Sequence, residues 1–183
     1  MFNNSYREKY VGEIHRINPA YHGYAMTEPA DIKKFIESVP IDVYNKSFLD
    51  VGCGKGICLG FACEAGYATV AGIDADPFLI EIARNNMGKK RKDVLCILSC
   101  AEEFEEYSEY DVFYFFNPFE ERIFQEVATK IKESQEVRNR EIWILYYCPE
   151  HGDVFEQNGF QYVKEVADTK DADVARYYRL CRI

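Results

Sequence analysis

Histidine is scarce: the 3 residues, His15, His22 and His151, are scattered along the chain. The 7 cysteines form no CxxC pair. Cys53, Cys58 and Cys63 stand five apart, a spacing that spreads them around a helix axis instead of converging them on one ion. No metal is therefore expected. Cysteines inside apolar segments such as Val94-Leu95-Cys96-Ile97-Leu98 behave as small buried hydrophobes of a reducing compartment. Basic charge is also short, with 22 Lys and Arg against 31 Asp and Glu, a net charge of −9. Such a surface repels polyanions and counts against long nucleic acids as partners. The one basic run, Lys89 to Lys92, reads as a solvated turn. No apolar run reaches the ~18 residues of a membrane span. The first residues lack the charged start, apolar middle and small-residue cleavage site of a secretory signal, so a cytoplasmic protein with no membrane partner is expected. Repeats and low-complexity segments are missing too.

What is present is the balance of a globular protein: 183 residues, 48% apolar and 29% charged. That length suits one domain. From Ser47 onward short apolar runs alternate with longer amphipathic ones. Phe48 to Val51 reads as a buried strand, and Ile57 to Ala65 as a helix stopped by Gly66. Ala68 to Ile73 is a second strand, after which Asp76 and Pro77 supply an N-cap and a first-turn proline for a helix to about Met87. Val94 to Leu98, Val112 to Phe116 and Ile142 to Tyr147 are further strands. Ile123, Val127 and Ile131 mark a helix between the last two. Continuous apolar strands separated by helices predict an α/β fold with a mostly parallel sheet covered on both faces. Phe160 to Val166 and Val174 to Cys181 flank a polar turn and predict a strand pair closing one edge. Residues 1–46 differ in kind, with one helical stretch at roughly Pro29 to Val39, and are expected to form a lead and lid segment ahead of a core at 47–183.

The strongest chemical signal is Leu49-Asp50-Val51-Gly52-Cys53-Gly54-Lys55-Gly56, where a strand passes into a helix. Glycines there let the chain turn tightly and let a ligand approach the main chain. Asp74, at the end of the next strand, can accept hydrogen bonds from both hydroxyls of a ribose. Nicotinamide dinucleotides favour GxGxxG, whereas the spacing here is GxGxG with Asp50 two residues earlier. A carboxylate at that point is a poor neighbour for a diphosphate and a good one for a cation. S-adenosylmethionine carries an ammonium and a sulfonium and no phosphate.

With these blocks, DVGCGKG, GIDAD, SCAEEF and DVFYFFNPF, the chain from about Ser47 onward resembles the class I S-adenosylmethionine-dependent methyltransferases, most closely a group of small bacterial proteins. The resemblance implies a doubly wound, Rossmann-like sheet of about seven strands with an antiparallel edge strand. It implies that Asp50, Gly52, Cys53, Gly54 and Gly56 surround the methionine moiety, that Asp74 holds the ribose and that Ala75 packs beside the adenosine. Where the family often places an Asp near the adenine this chain has Cys100, with the amide of Ala101 or the carboxylate of Glu102 as substitutes. Asn117-Pro118-Phe119 partly resembles the (Asp/Asn)-Pro-Pro-(Tyr/Phe) signature of amino-group methyltransferases, one proline short. It places Asn117, Pro118 and Phe119 at the acceptor, with an amine slightly favoured over oxygen or carbon.

Tyr21, His22, Tyr24 and Glu28 are candidates for a general base in the lid segment, and Tyr24 and Thr27 are expected to line the pocket. The plainer readings are a surface histidine and a packing tyrosine. A small molecule, a sugar or a limited protein surface suits the short loops as acceptor. A non-catalytic module that binds S-adenosylmethionine stays open as an alternative, and a nicotinamide-dependent oxidoreductase is less favoured.

Overall fold

The computed structural model describes residues 18–25, 28–88, 93–167 and 173–182. The Lys89 to Lys92 run, Thr27 and most of the polar turn after residue 167 lie outside these residues. In chain order the elements are α1 (Pro29–Glu37), β1 (Ser47–Val51), α2 (Ile57–Ala65), β2 (Thr69–Asp74), α3 (Pro77–Gly88), β3 (Leu95–Leu98), β4 (Val112–Phe116), α4 (Glu121–Val137), β5 (Ile142–Tyr147), α5 (Asp153–Gln157), β6 (Gln161–Ala167) and β7 (Val174–Leu180). Two short 3-10 turns, Ala101–Glu103 and Glu106–Glu109, lie between β3 and β4.

The strands form one 7-stranded sheet in the order β3-β2-β1-β4-β5-β7-β6. β1 to β5 run parallel, and β7 is antiparallel to both β5 and β6. The predicted sheet and its closing strand pair are both present. The sequence reading missed α5, whose five residues are too few to show a helical period.

The central strands are apolar on both sides because helices cover both faces. α1, α2 and α3 cover one face, where Ile32, Phe35, Leu59, Ile80 and Met87 pack on Phe48, Val70, Val112 and Leu145. α4 and α5 cover the other, where Ile123, Phe124, Val127, Ile131 and Phe155 pack on Leu49, Phe113, Phe115 and Ile144. Each such side chain contributes roughly 1.5–3 kcal/mol by leaving water. α1 is also pinned to the far edge: Tyr177 donates its hydroxyl to the Phe35 carbonyl at 2.8 Å, and Lys164 reaches the Ser38 carbonyl at 2.6 Å. Asp76 caps α3 as predicted, its Oδ1 accepting from the amides of Phe78 at 2.8 Å and Leu79 at 3.3 Å.

The strand order reverses direction between β1 and β4, and the loops leaving their carboxyl ends diverge there. A crevice at such a point is where open α/β sheets bind ligands. It brings residues 50–54 and 116–119 together across a wide gap in sequence.

Candidate active site

The glycine loop forms the floor of a cavity of about 890 Å3, counting its open mouth, at this reversal point. Gly52 and Gly54 have φ of +88° and +52°, a left-handed conformation that side chains rarely adopt. The space beside them is already filled. A Cβ on Gly52 would sit 2.7 Å from Cβ of Pro118, and one on Gly54 would sit 2.6 Å from the ring of Tyr24. The loop therefore presents bare backbone, with Pro118 and Tyr24 closing over it. The Lys55 ammonium, on a residue only 2% exposed, lies 4.9 Å from the centre of the Tyr24 ring. Such an approach is a cation–π contact.

Two carboxylates line the cavity. Asp74 ends β2, its Oδ2 accepting from the Gly54 amide at 2.8 Å and its Oδ1 from the Asp76 amide at 2.9 Å. One lone pair on each oxygen remains for a ligand. Burial pushes the Asp74 carboxyl up to about 6, against the pull of these two amides. Asp50, on β1 and 3% exposed, is raised well above the usual carboxylate range by burial and by the charge of Asp74. Burial and the same two carboxylates push the Cys53 thiol up as well, so it lines the cavity as an inert group.

The second wall is made by residues 20–25, which lie against Asn117 to Glu120. Tyr21 and Phe119 form an antiparallel bridge, the His22 amide donates to the Pro118 carbonyl at 2.8 Å, and the Glu120 amide donates to the Ala20 carbonyl at 2.8 Å. Nδ1 of His22 lies 2.7 Å from the Asn117 carbonyl oxygen. A carbonyl only accepts, so Nδ1 carries a proton and Nε2 of the neutral ring keeps its lone pair. The hydroxyl of Tyr21 donates to the Glu102 carboxylate and accepts from the Ala101 amide at 3.1 Å. Burial, then that hydrogen bond, raises the Tyr21 phenol far above its ordinary range. Tyr24 is pushed up to about 12 by burial and by Asp50.

Of the residues named from sequence, Asp50, Gly52, Cys53, Gly54, Asp74, Ala75, Ala101, Pro118, Phe119, Tyr21, His22 and Tyr24 line this cavity. The others stand apart. Gly56 caps the start of α2. Cys100 and Glu102 are half-buried behind the lining, and Glu102 is held by Tyr21. Asn117, itself at a φ of +36°, accepts the Tyr146 hydroxyl at 2.9 Å on its side-chain oxygen and is outside the lining. Phe119, though it borders the cavity, is 1% exposed and packs among Tyr21, Phe115 and Phe124. Glu28 is exposed and also outside the lining. The sequence reading missed Ile32, Ile57, Cys58, Ile73, Leu79, Ser99, Tyr114 and Phe116, which complete the lining together with Gly23 and Ala25 of the strap. The central-strand pattern of Tyr114 and Phe116 signals burial and nothing more.

Residues 48–137 match the family model of the methyltransferase domain. This stretch, which runs from β1 to α4, is thus a methyltransferase domain. Relatives of this chain include the ribosomal protein L11 methyltransferase of Burkholderia mallei, 45% identical over 49 residues, or 27% of this chain and 16% of that protein. The match thus spans about a sixth of the length of such curated relatives. Among solved structures, a putative RNA methyltransferase of Pyrococcus horikoshii superposes with a TM-score of 0.64 at 16% identity, covering 91% of this chain and 89% of that one. The magnesium protoporphyrin IX methyltransferase of Synechocystis, with bound SAM, gives a TM-score of 0.62 at 14% identity, covering 93% and 91%. At these identities the structural likeness concerns the fold. The domain match favours methyl transfer over the nicotinamide alternative. Among the described residues no helix is long and apolar enough to cross a membrane, and no cluster of three His, Cys, Asp or Glu side chains could hold a metal ion.

Proposed function

We propose that the protein transfers a methyl group from S-adenosylmethionine to an acceptor that enters beside Pro118, His22 and Tyr24. The observation that carries this reading is the pairing of a side-chain-free glycine floor with two carboxylates, Asp50 and Asp74, in one cavity. That combination repels a diphosphate and suits a ligand with a cationic end and a ribose diol. The residues present fit such a ligand. Gly52 and Gly54 leave a bare-backbone cradle, with Pro118 and Tyr24 standing where their Cβ atoms would be, and each Asp74 oxygen keeps a lone pair for one ribose hydroxyl. Ala75, Leu79 and Ser99 line the region past Asp74, where an adenine would lie.

Bound S-adenosylmethionine supplies a methyl already activated on a sulfonium sulfur. The chain's own work is then to orient the acceptor and keep water out. Tyr24 closes over Gly54, and Pro118 over Gly52, so the strap at residues 20–25 and the loop after β4 exclude solvent together. An amine acceptor is slightly favoured. The Pro118 carbonyl takes one hydrogen bond, from the His22 amide, and keeps a second lone pair for an N–H donor. An acceptor that arrives protonated gives its proton to Nε2 of His22. A small molecule, a sugar or a limited protein surface fits the cavity and the net charge of −9.

Calorimetric titration with S-adenosylmethionine, S-adenosylhomocysteine, NAD and NADP tests the cofactor, with Asp74→Ala as control. Binding of the sulfur ligands alone, lost in Asp74→Ala, supports the reading, and binding of NAD or of none of the four defeats it. Transfer of labelled methyl to a panel of amines, phenols and carbon acids then separates a catalyst from a module that only binds the cofactor.

A further inference from the structure

Asp50 and Tyr114 line the cavity together with Ile32, Cys53, Ile57, Cys58 and Phe116, which belong to the core on the α1 and α2 side of the sheet. Asp50 and Tyr114 are register partners on adjacent parallel strands, so both project from the same face of the sheet. Tyr114 is 3% exposed, and its hydroxyl has no hydrogen-bond partner among the described residues. Of the buried side-chain polar atoms without a partner among those residues, only the Tyr114 hydroxyl belongs to a residue that lines the cavity. An orphaned buried hydroxyl is costly to a fold unless something else satisfies it. Burial, with Cys58 and Asp50 close by, also holds the phenol protonated, so it remains a donor at any working pH.

An α-amino acid end brings an ammonium and a carboxylate together. The ammonium is drawn to Asp50 and, as a neighbouring cation, favours its ionised form. The ligand's carboxylate is then carried toward the same negative charge and needs a donor to offset the repulsion. We propose that Tyr114 reads the amino-acid end of the adenosyl ligand, its hydroxyl donating to the ligand carboxylate while Asp50 faces the ammonium. This rests on the cofactor reading above and adds to it a side chain from the middle of a core strand that selects the complete amino-acid end.

The test compares S-adenosylhomocysteine with its decarboxylated analogue, titrated into the wild-type protein and into Tyr114→Phe. The wild type binds S-adenosylhomocysteine the more tightly. Tyr114→Phe weakens S-adenosylhomocysteine roughly tenfold or more, the size of a hydrogen bond to a charged group, and leaves the decarboxylated analogue within about twofold of the wild type. Without ligand, Tyr114→Phe melts at the wild-type temperature or above it, because it removes only an unsatisfied hydroxyl. Equal loss for both ligands, or loss for neither, overturns the proposal. A wild type that binds neither ligand defeats the cofactor reading itself, whereas tight wild-type binding with an unchanged Tyr114→Phe defeats only the role of Tyr114.

Discussion

Asp74 gives the site a pH dependence whose size follows from its surroundings. Its carboxyl is raised from the usual 3.8 to about 6 because burial outweighs the two amides that hold it. On the proposed cofactor reading, an ionised Asp74 accepts from both ribose hydroxyls, and a protonated one gives up one of those acceptor positions. Binding of S-adenosylhomocysteine is therefore full above about pH 7 and is lost as the pH falls through the folded-state value. One unit below that value about nine-tenths of the sites are protonated, and the apparent Kd is about tenfold weaker. Ligand-free stability runs the other way. The folded state holds the proton more tightly than the unfolded chain, so this contribution is most favourable below the unfolded value and declines as pH rises through about 6. The decline is at most about 3 kcal/mol, and less for a carboxylate that still reaches solvent. Calorimetric titration between about pH 5 and pH 7.5 reads the binding limb, with Asp74→Asn binding weakly and without this pH step. A flat wild-type profile, or identical profiles in the two proteins, would refute the reasoning.

Three further substitutions probe the frame around the site. Gly52→Ala forces a Cβ to within 2.7 Å of Pro118 at a φ of +88°, so it weakens ligand binding and costs on the order of 1–3 kcal/mol in chemical denaturation; wild-type binding and stability would contradict the cradle. Arg140 is buried between α4 and the second 3-10 turn and donates to the carbonyls of Tyr107, Tyr110 and Ser134 at 2.8, 2.7 and 2.9 Å. Arg140→Met strands those acceptors and costs roughly 3–5 kcal/mol, measured as a shift in the denaturation midpoint at unchanged slope. Tyr21→Phe removes the hydroxyl between Ala101 and Glu102, so amide exchange at Ala101 accelerates while exchange in β4 and β5 stays slow; equal acceleration everywhere would mean that the strap is inseparable from the core.

Local spacing made part of the site legible. The glycine loop, Asp74 at the end of β2 and the Asp76 cap all depend on residues a few positions apart, where strand period, backbone freedom and capping act directly. Tyr114, Ile32 and Phe116 were illegible as site residues. They reach the cavity because β1 lies beside β4 and α1 folds over both, and no periodicity encodes that order. The partial motif at Asn117 shows the limit from the other side. Its residues are where a motif reader looks, yet the Asn117 side-chain oxygen is taken by Tyr146, a partner 29 positions further on in the chain. Likewise, the amide and carboxylate named as adenine contacts, those of Ala101 and Glu102, are engaged by Tyr21, some 80 positions away.

The ladder between Ala20 to His22 and Pro118 to Glu120 also governs when the site can exist. Its two halves are separated by almost 100 residues, so closing it carries a large loop-entropy cost that the core must offset first. During synthesis the strap emerges early and has nothing to pair with until β4 and the loop after it have followed. The glycine floor and Asp74 are assembled from neighbouring strands, while the second wall waits for the docking of segments far apart in the chain. The floor of the cavity can thus be in place before its second wall, and docking of the strap becomes the step at which a folded sheet gains an enclosed cavity.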